Sequence, residues 1–337
     1  MFSSLAALCL FLPAACPQDS PKPQEPLGAE RREELVESLA ELMTENYVFE
    51  EIGLKIGTHL REQLYVQGAY DDLDLEALSR ALTRDLRALN DDRHLRVSPR
   101  QALDPSEARL DPAELQRLRD AEQRRQNFGF ERVERLEGNI GYLDLRFFAD
   151  TGADSGGAGD TALAAMGFLA NVDALIIDLR RNGGGSPSMI QLLSSYFFKE
   201  PKHLNSFFWR GQEGLEQRWT MPHVPGKKLV DVPLFVLTSA RTFSAAEEFT
   251  YNLKNLKRAT IIGETTGGGA HPGSTHSVKD ILSVFIPQGR AISPITGTNW
   301  EGVGVKPHLS TPQAKALEKA LEAARQAIEP RAPQPKN

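Results

Sequence analysis

Residues 174–185 have the sequence ALIIDLRRNGGG, in which a short apolar run ends in charged residues and three consecutive glycines. An apolar run bounded by turn residues is typical of a buried strand. Comparable runs lie at 140–148, 233–237, 259–263 and 281–286, and helical patterns lie between several of them, at 161–170, 189–198 and 244–256. Strands that alternate with helices predict an α/β layer with largely parallel pairing.

The N-terminal third has a different periodicity. Between residues 29 and 89, apolar side chains recur at every third or fourth position in three successive stripes. Such stripes predict three helices that form a small bundle. The organisation we expect is a helical domain at 29–103, a connecting segment at 104–135 with a helical pattern at 105–126, an α/β domain at 136–328 whose last helix begins at 313, and a Pro-rich tail at 329–337.

Composition excludes several classes of protein. The chain has 337 residues, of which 40% are hydrophobic and 25% charged, so it can bury a sizeable core and is not disordered as a whole. The net charge is −6, and no basic stripe is present, so the sequence predicts no nucleic-acid partner. No apolar run after the N-terminus approaches the roughly 18 residues of a membrane span.

The first residues predict export. Residues 1–16 contain a short apolar segment followed by small residues, the pattern of a secretory signal peptide, and a polar, Pro-rich linker follows at 17–28. The two cysteines, Cys9 and Cys16, both lie here, so the rest of the chain has no disulfide and no thiolate metal site. The small residues before Cys16 also resemble a lipoprotein cleavage site. We expect a periplasmic, envelope-lipoprotein or secreted protein, attached to a membrane, if at all, by an N-terminal lipid.

Three glycines, at 183–185, follow the strand predicted at 174–179. They allow positive φ and the close approach of another group to backbone N–H donors. A phosphate cradle is one interpretation, but the Gly-Lys-Ser/Thr of a P-loop is absent. An oxyanion hole is the second interpretation, and a tight turn without further function is the third.

Ser244, within TSARTFSAAEEF (238–249), lies where a strand gives way to a helix. It could serve only as the N-cap, with Glu247 completing a capping box. A serine at a helix N-terminus is also well placed to act as a nucleophile, because N–H donors and the positive end of the helix dipole lie beside it. The G-x-S-x-G motif of α/β-hydrolases is absent.

These segments together resemble a known family. DLRRNGGG (178–185) and TSARTFSAAEEF, followed by IIGETTGGGAHPG (261–273) and NWEGVGVKPH (299–308), are similar to the carboxyl-terminal-processing, or tail-specific, serine peptidases. The N-terminal segments LAELMTENYVFEE (39–51), GAYDDLDLEAL (68–78) and DDRHLRV (91–97) resemble the branch that includes interphotoreceptor retinoid-binding protein.

The resemblance implies a fold and most of an active site. It implies an N-terminal helical bundle joined to a crotonase/ClpP-like α/β core, with Ser244 as nucleophile and neither a cofactor nor a metal. The N–H of Ala245 and that of a glycine in the 183–185 turn, Gly183 or Gly184, would form the oxyanion hole. The chain lacks the PDZ domain of better-known members, because the segment before the core is too short for one.

The general base also differs from that of the better-known members. Their lysine stands in a T-F-G-K-G motif, and the matching residues here are Thr-Gly-Gly-Gly at 266–269. Lys254 is about 15 Å from Ser244 along a helix, which excludes a Ser–Lys dyad. Tricorn-like members use His and Glu instead, and this resemblance assigns His94 as base and Glu301 as its carboxylate partner. His271 is the competing base.

A second serine motif needs a different interpretation. GADSGG (152–157), which contains Ser155, is similar to a motif of chymotrypsin-like proteases. Those proteins are all-β, whereas here an Ala-rich helix follows, so we expect only a loop.

The predicted function is that of a serine peptidase that cleaves peptides or proteins through an acyl-enzyme. The alternative is a catalytically silent binding protein for retinoid-like or other apolar ligands, which the missing PDZ domain favours. A crotonase-type acyl-CoA enzyme is a third interpretation, but such an enzyme is not normally exported.

Overall fold

The computed structural model describes residues 25–100, 112–152 and 157–328. The helices are α1 (Ala29–Asn46), α2 (Glu50–Tyr65), α3 (Leu75–Arg87), α4 (Pro112–Arg125), α5 (Ala158–Phe168), α6 (Pro187–Ser195), α7 (Ala245–Asn255) and α8 (Ala316–Ile328). The strands are β1 (Arg96–Pro99), β2 (Phe130–Leu136), β3 (Ile140–Leu145), β4 (Ala174–Asp178), β5 (His203–Trp209), β6 (Glu216–Trp219), β7 (Leu234–Thr238), β8 (Thr260–Gly263), β9 (Gly273–Val278), β10 (Leu282–Pro287), β11 (Gly289–Ile292) and β12 (Leu309–Ser310).

A six-stranded sheet forms the core of the α/β region. Its strand order is β12-β8-β7-β4-β3-β2, and every pair is parallel except β2 with β3. Alternate residues of β4 face opposite sides: Ile177 packs in the cluster that contains α5, α6 and α7, and Ile176 packs against α8. The predicted α/β class with N-terminal helices is therefore confirmed, although β2 begins inside the segment that we expected only to connect the domains.

The N-terminal helices share their core with a second sheet. Strands β1, β10 and β9 pair in that order, all antiparallel. Leu39 of α1, Leu60 of α2 and Leu82 of α3 are fully buried in one cluster with Val284 of β10. The three helices thus form a unit that packs against residues 273–287, and β1 ties the chain just after residue 95 to the α/β region.

A third sheet, β11-β5-β6, is also antiparallel and lies outside the predicted set of strands. The sequence HLNSFFW of β5 mixes polar and aromatic residues, and β6 and β11 have four residues each, so neither shows a continuous apolar run.

None of the helices that the structure describes is both long and apolar enough to cross a membrane.

Some predictions fall outside the described residues. They are the signal peptide with Cys9 and Cys16, the linker up to residue 24, the start of the 105–126 helical pattern, Ser155, and the tail at 329–337. The helix expected after the serine motif is present as α5.

Candidate active site

Ser244 stands at a sharp turn between β7 and α7. Its backbone has φ 54° and ψ −121°, a region that L-residues rarely occupy and that is retained only where neighbouring contacts enforce it. The Ser244 N–H donates to Glu247 Oε2 at 2.9 Å, and the preceding Phe243 N–H donates to the carbonyl of Asn182 at 3.1 Å. A Cβ at Gly184 would lie 2.9 Å from the Ser244 Cβ, so a glycine is required there. These contacts hold the serine in an elbow against the glycine turn.

The three predicted oxyanion-hole donors differ in their hydrogen bonds. Ala245 is the first residue of α7, and neither its N–H nor that of Gly183 donates to an acceptor within the described parts of the chain. The Gly184 N–H differs, because it donates to Asn182 Oδ1 at 2.9 Å. The donors that the structure leaves for an oxyanion beside Ser244 are therefore Ala245 and Gly183.

The serine opens into a cavity of about 470 Å³. His94, Gly183 and Ala245 line it together with Ser244. Its other walls are largely aromatic, formed by Phe207, Trp209, Phe243, Phe285 and Trp300. Candidate nucleophile, candidate base and free N–H donors thus meet in one ligand-sized space.

His94 enters this cavity from the N-terminal unit. Its ring packs between Phe243 and Phe285, with ring centroids 4.6 and 5.5 Å away, and its side chain is only 8% exposed. Neither ring nitrogen forms a hydrogen bond within the described residues, and Nδ1 lies 3.7 Å from Asp92 Oδ1. The hydrogen bond to Ser244 is therefore not made in this state, as is common before substrate binds.

Asp92 is the carboxylate that sequence reasoning left without a role. Its Oδ2 lies 2.7 Å from His271 Nδ1 and accepts from the Tyr47 hydroxyl at 2.9 Å, while Oδ1 accepts from the His94 N–H at 3.0 Å. Burial alone would raise the pKa of Asp92, but the nearby imidazoles of His271 and His94 outweigh burial and hold that pKa well below its usual range. Asp92 is thus an ionised group beside His94.

Glu301 lies close to Asp92, His94 and His271. Its Oε2 accepts from the Ala270 N–H at 2.5 Å and lies 3.5 Å from His271 Nδ1, and its Oε1 is buried without a partner among the described residues. Burial, and then the charge of Asp92, raise the pKa of Glu301. The structure brings Glu301 close to His94 without the direct hydrogen bond that the resemblance implies.

His271 occupies a different position from His94. It is paired with Asp92, packs edge-on against the Phe49 ring with centroids 5.5 Å apart, and is absent from the residues that line the cavity. Lys254 does not line the cavity either, and its Nζ donates to the Lys306 carbonyl at 2.6 Å. Among the described residues that line the cavity, His94 is the basic side chain.

The loop at 266–271 joins the two parts of the site. Arg93 Nη1 donates to the Gly267 carbonyl at 2.8 Å, and Glu247 accepts from the N–H groups of Gly268 at 2.6 Å and Gly269 at 2.8 Å. A Cβ at Gly269 would come within 2.3 Å of the Phe243 ring and 2.6 Å of the His94 ring. The glycines that replace the family's lysine motif thus make room for the histidine.

Among the described residues, Asp92, His94 and Glu301 are also the side chains close enough together to share a metal ion. Their donor atoms all lie within 4.8 Å of one another. A tetrahedral zinc with bonds of about 2.1 Å holds its ligand atoms about 3.4 Å apart, so the cluster would have to contract.

Two family models match the chain. Residues 139–311 match the model of peptidase family S41, and residues 29–127 match the model described as the N-terminal domain of Peptidase_S41 in eukaryotic IRBP. The two matched segments contain the whole of the site formed by Ser244, His94 and their neighbours.

Solved structures show a similar fold. A protein of Parabacteroides merdae, described as a candidate peptidase, has 18% identity and a TM-score of 0.59, with 88% of this chain and 96% of that chain covered. The photosystem II D1 C-terminal processing protease has 17% identity and a TM-score of 0.51, with the same coverage. The tricorn protease has 15% identity and a TM-score of 0.53, with 89% of this chain and 37% of the longer tricorn chain covered. With the first family model covering more than half of its length, the chain belongs to peptidase family S41, the C-terminal-processing type of serine peptidase.

Proposed function

We propose that this peptidase acts through an acyl-enzyme on Ser244, with His94 as its base. The observation that carries the proposal is the elbow: Ser244 is held at positive φ beside the free Ala245 N–H, in the cavity that His94 enters. A serine that served only as a helix cap would need neither this conformation nor a histidine opposite it.

The reaction then follows from the positions of these groups. As the Ser244 oxygen attacks the carbonyl carbon of the scissile bond, His94 takes its proton, and the Ala245 and Gly183 N–H groups stabilise the oxyanion. Collapse breaks the C–N bond, and the amine leaves with the proton from His94. A water molecule, deprotonated by His94, attacks the acyl carbon, and Ser244 is released with its proton restored.

Two carboxylates support the imidazolium that forms during each step. Asp92 Oδ1 is 3.7 Å from His94 Nδ1, and Glu301 belongs to the same cluster. A negative charge near Nδ1 holds the His94 ring in one tautomer and stabilises the ring when it is charged. We assign Asp92 and Glu301 as positioning residues that act through His94.

Labelling with a fluorophosphonate, followed by mass mapping, tests this assignment. We expect one adduct, on Ser244, and its loss together with peptide hydrolysis in Ser244→Ala. The exposed Ser274 provides the matched control, since Ser274→Ala should label and hydrolyse like the wild type. EDTA should leave both the labelling and the peptide hydrolysis of the wild type unchanged. An adduct on Ser155, or labelling that persists in Ser244→Ala, would contradict the assignment.

The alternative, a silent binding protein for apolar ligands, is favoured by the aromatic walls of the cavity. It makes no use of the free N–H groups beside Ser244. The same labelling experiment separates the two functions, because a silent protein would leave Ser244 unmodified.

We further propose export of the protein, which rests on the sequence of residues 1–16 alone. Expression in a bacterial host followed by intact-mass measurement of the envelope fraction should show loss of about the first fifteen residues. A diacylglycerol mass on Cys16 would identify the lipoprotein form. Recovery of the full-length chain from the cytosol would refute export.

A further inference from the structure

Glu248 lies one helical turn after Ser244 and lines the same cavity. Among the described residues that line this cavity, it is the one Asp, Glu, Lys or Arg side chain. Its exposed fraction is 5%. The proposed mechanism gives this carboxylate no role.

The neighbouring Glu247 and Glu248 are both buried carboxylates, but their surroundings differ. Glu247 accepts hydrogen bonds from the Ser244, Gly268 and Gly269 N–H groups and from the Thr266 hydroxyl, so its position in the elbow explains it. Glu248 forms no ion pair among the described residues. A buried carboxylate without a counter-ion is unfavourable, so its presence beside the nucleophile needs another explanation.

The groups that face Glu248 leave it short of positive charge. Arg218 of β6 is near enough to lower the pKa of Glu248, but Arg218 is itself paired with Glu216, and the amides of Asn205 and Asn252 are neutral. Burial outweighs all three and raises the pKa of Glu248 to about 7. The missing counter-charge can be supplied by a ligand.

The walls of the cavity suit a long cationic side chain. Phe207, Trp209 and Trp300 offer aromatic surfaces on which methylene groups can pack, and a cation is attracted to the face of such rings. A volume of about 470 Å³ is ample for one extended side chain. The combination of apolar walls and a single carboxylate matches lysine or arginine.

We propose that this cavity receives the side chain of the residue that supplies the scissile carbonyl, P1, and that Glu248 selects Lys or Arg there. The proposal rests on the proposed function, because the P1 side chain lies next to Ser244 only if Ser244 attacks that carbonyl. The peptidase would then cleave after basic residues.

This selectivity must depend on pH in a defined direction. A bound cation favours the ionised form of Glu248, so preference for a P1 lysine grows as pH rises through the pKa of Glu248, near 7. Protonation of His94 affects all substrates alike and cancels in a ratio of rates.

The experiment uses two diphenyl phosphonate probes that differ only in P1, lysine in one and norleucine in the other. Rates of Ser244 modification are measured between pH 6 and 9. We expect the lysine probe to react at least about 30-fold faster at pH 8, as a charged hydrogen bond would give. This ratio should fall several-fold at pH 6. Glu248→Gln should bring the ratio near one at every pH.

The controls separate failure of this inference from failure of the function. The exposed Glu213→Gln should keep the wild-type ratio. A fluorophosphonate without a P1 side chain should label Ser244 of the wild type. If that reagent labels normally while the wild-type ratio is near one or independent of pH, the selectivity is wrong and the nucleophile stands. If it labels nothing, the function itself is wrong. Should Glu248→Gln fail to fold, the pH dependence of the wild-type ratio decides.

Discussion

The two halves of the proposed active site are built in different ways. The nucleophile half belongs to one sheet: Asn182 follows β4, Ser244 follows β7, and the hydrogen bond from the Phe243 N–H to the Asn182 carbonyl joins the two turns. The base half arrives from the N-terminal unit, where Asp92 and His94 precede β1. It is held by side-chain contacts such as the hydrogen bond from Arg93 to the Gly267 carbonyl. The His94 ring nitrogens form no hydrogen bond within the described residues.

This contrast indicates which steps are prepared in advance. In the proposed mechanism, the N–H donors for the oxyanion are held in place by backbone geometry. The proposed proton transfer depends on packing between two parts of the chain far apart in sequence, and the hydrogen bond between His94 and Ser244 that it requires is not made in this structure. Changes in the base half should therefore slow the reaction severely while leaving the elbow folded.

Glu301→Gln should have the largest effect among the substitutions around His94 that keep both its ring and Ser244 in place. The amide keeps an acceptor for the Ala270 N–H but removes a negative charge beside the imidazolium. We expect kcat/KM to fall about 300-fold, less than the loss on removing a triad base. Exposed Glu318→Gln on α8 serves as the control. A change below threefold would show that Asp92 alone supports His94.

Gly269→Ala tests the packing of the base half without removing any charge. The added methyl group would collide with both the Phe243 and His94 rings. A displacement of about 1 Å in a reacting group typically lowers the rate about 10²-fold, so we expect a loss of that size in kcat. The matched control is Gly167→Ala in α5, where a Cβ meets nothing within 4 Å. Equal activity of both variants would contradict the tight fit.

Asp92→Asn should have a smaller effect, and on the stability of the fold. Its pKa is lowered in the folded state, so its contribution to stability is present above the unfolded value of about 3.9 and is lost as pH falls through the folded pKa. We expect Asp92→Asn to lower Tm by a few degrees at pH 7. Calorimetry should show that gap narrowing below about pH 4. A difference in Tm between wild type and Asp92→Asn that widens in acid would contradict a lowered pKa for Asp92.

The sequence predicted the parts of the molecule that local pattern decides. The runs that form β4 and β7 are continuously apolar because both faces of the central sheet are covered. Such a run, bounded by turn residues, is enough to predict a buried strand. Strand β5 was missed because its polar residues, Asn205 and Ser206, are buried by neighbours that local pattern does not show.

The candidate site divides in the same way. Ser244 and the glycine turn could be identified from motifs within a dozen residues. Asp92 stands two residues before His94 in the quoted motif, so a signal was present, but its contact with His271 joins residues 179 positions apart. The separation of the two histidines, one in the cavity and one behind it, is a tertiary fact that spacing alone leaves open.

The role of His94 as the base is tested most sharply by the pH dependence of kcat/KM in wild type, His94→Ala and His271→Asn. We expect His94→Ala to lose at least about 10³-fold and to lose the fall in rate at acidic pH that protonation of the base produces. His271→Asn should stay within about tenfold of wild type and keep that acidic limb. An inactive His271→Asn beside an active His94→Ala would show that His94 does not activate Ser244.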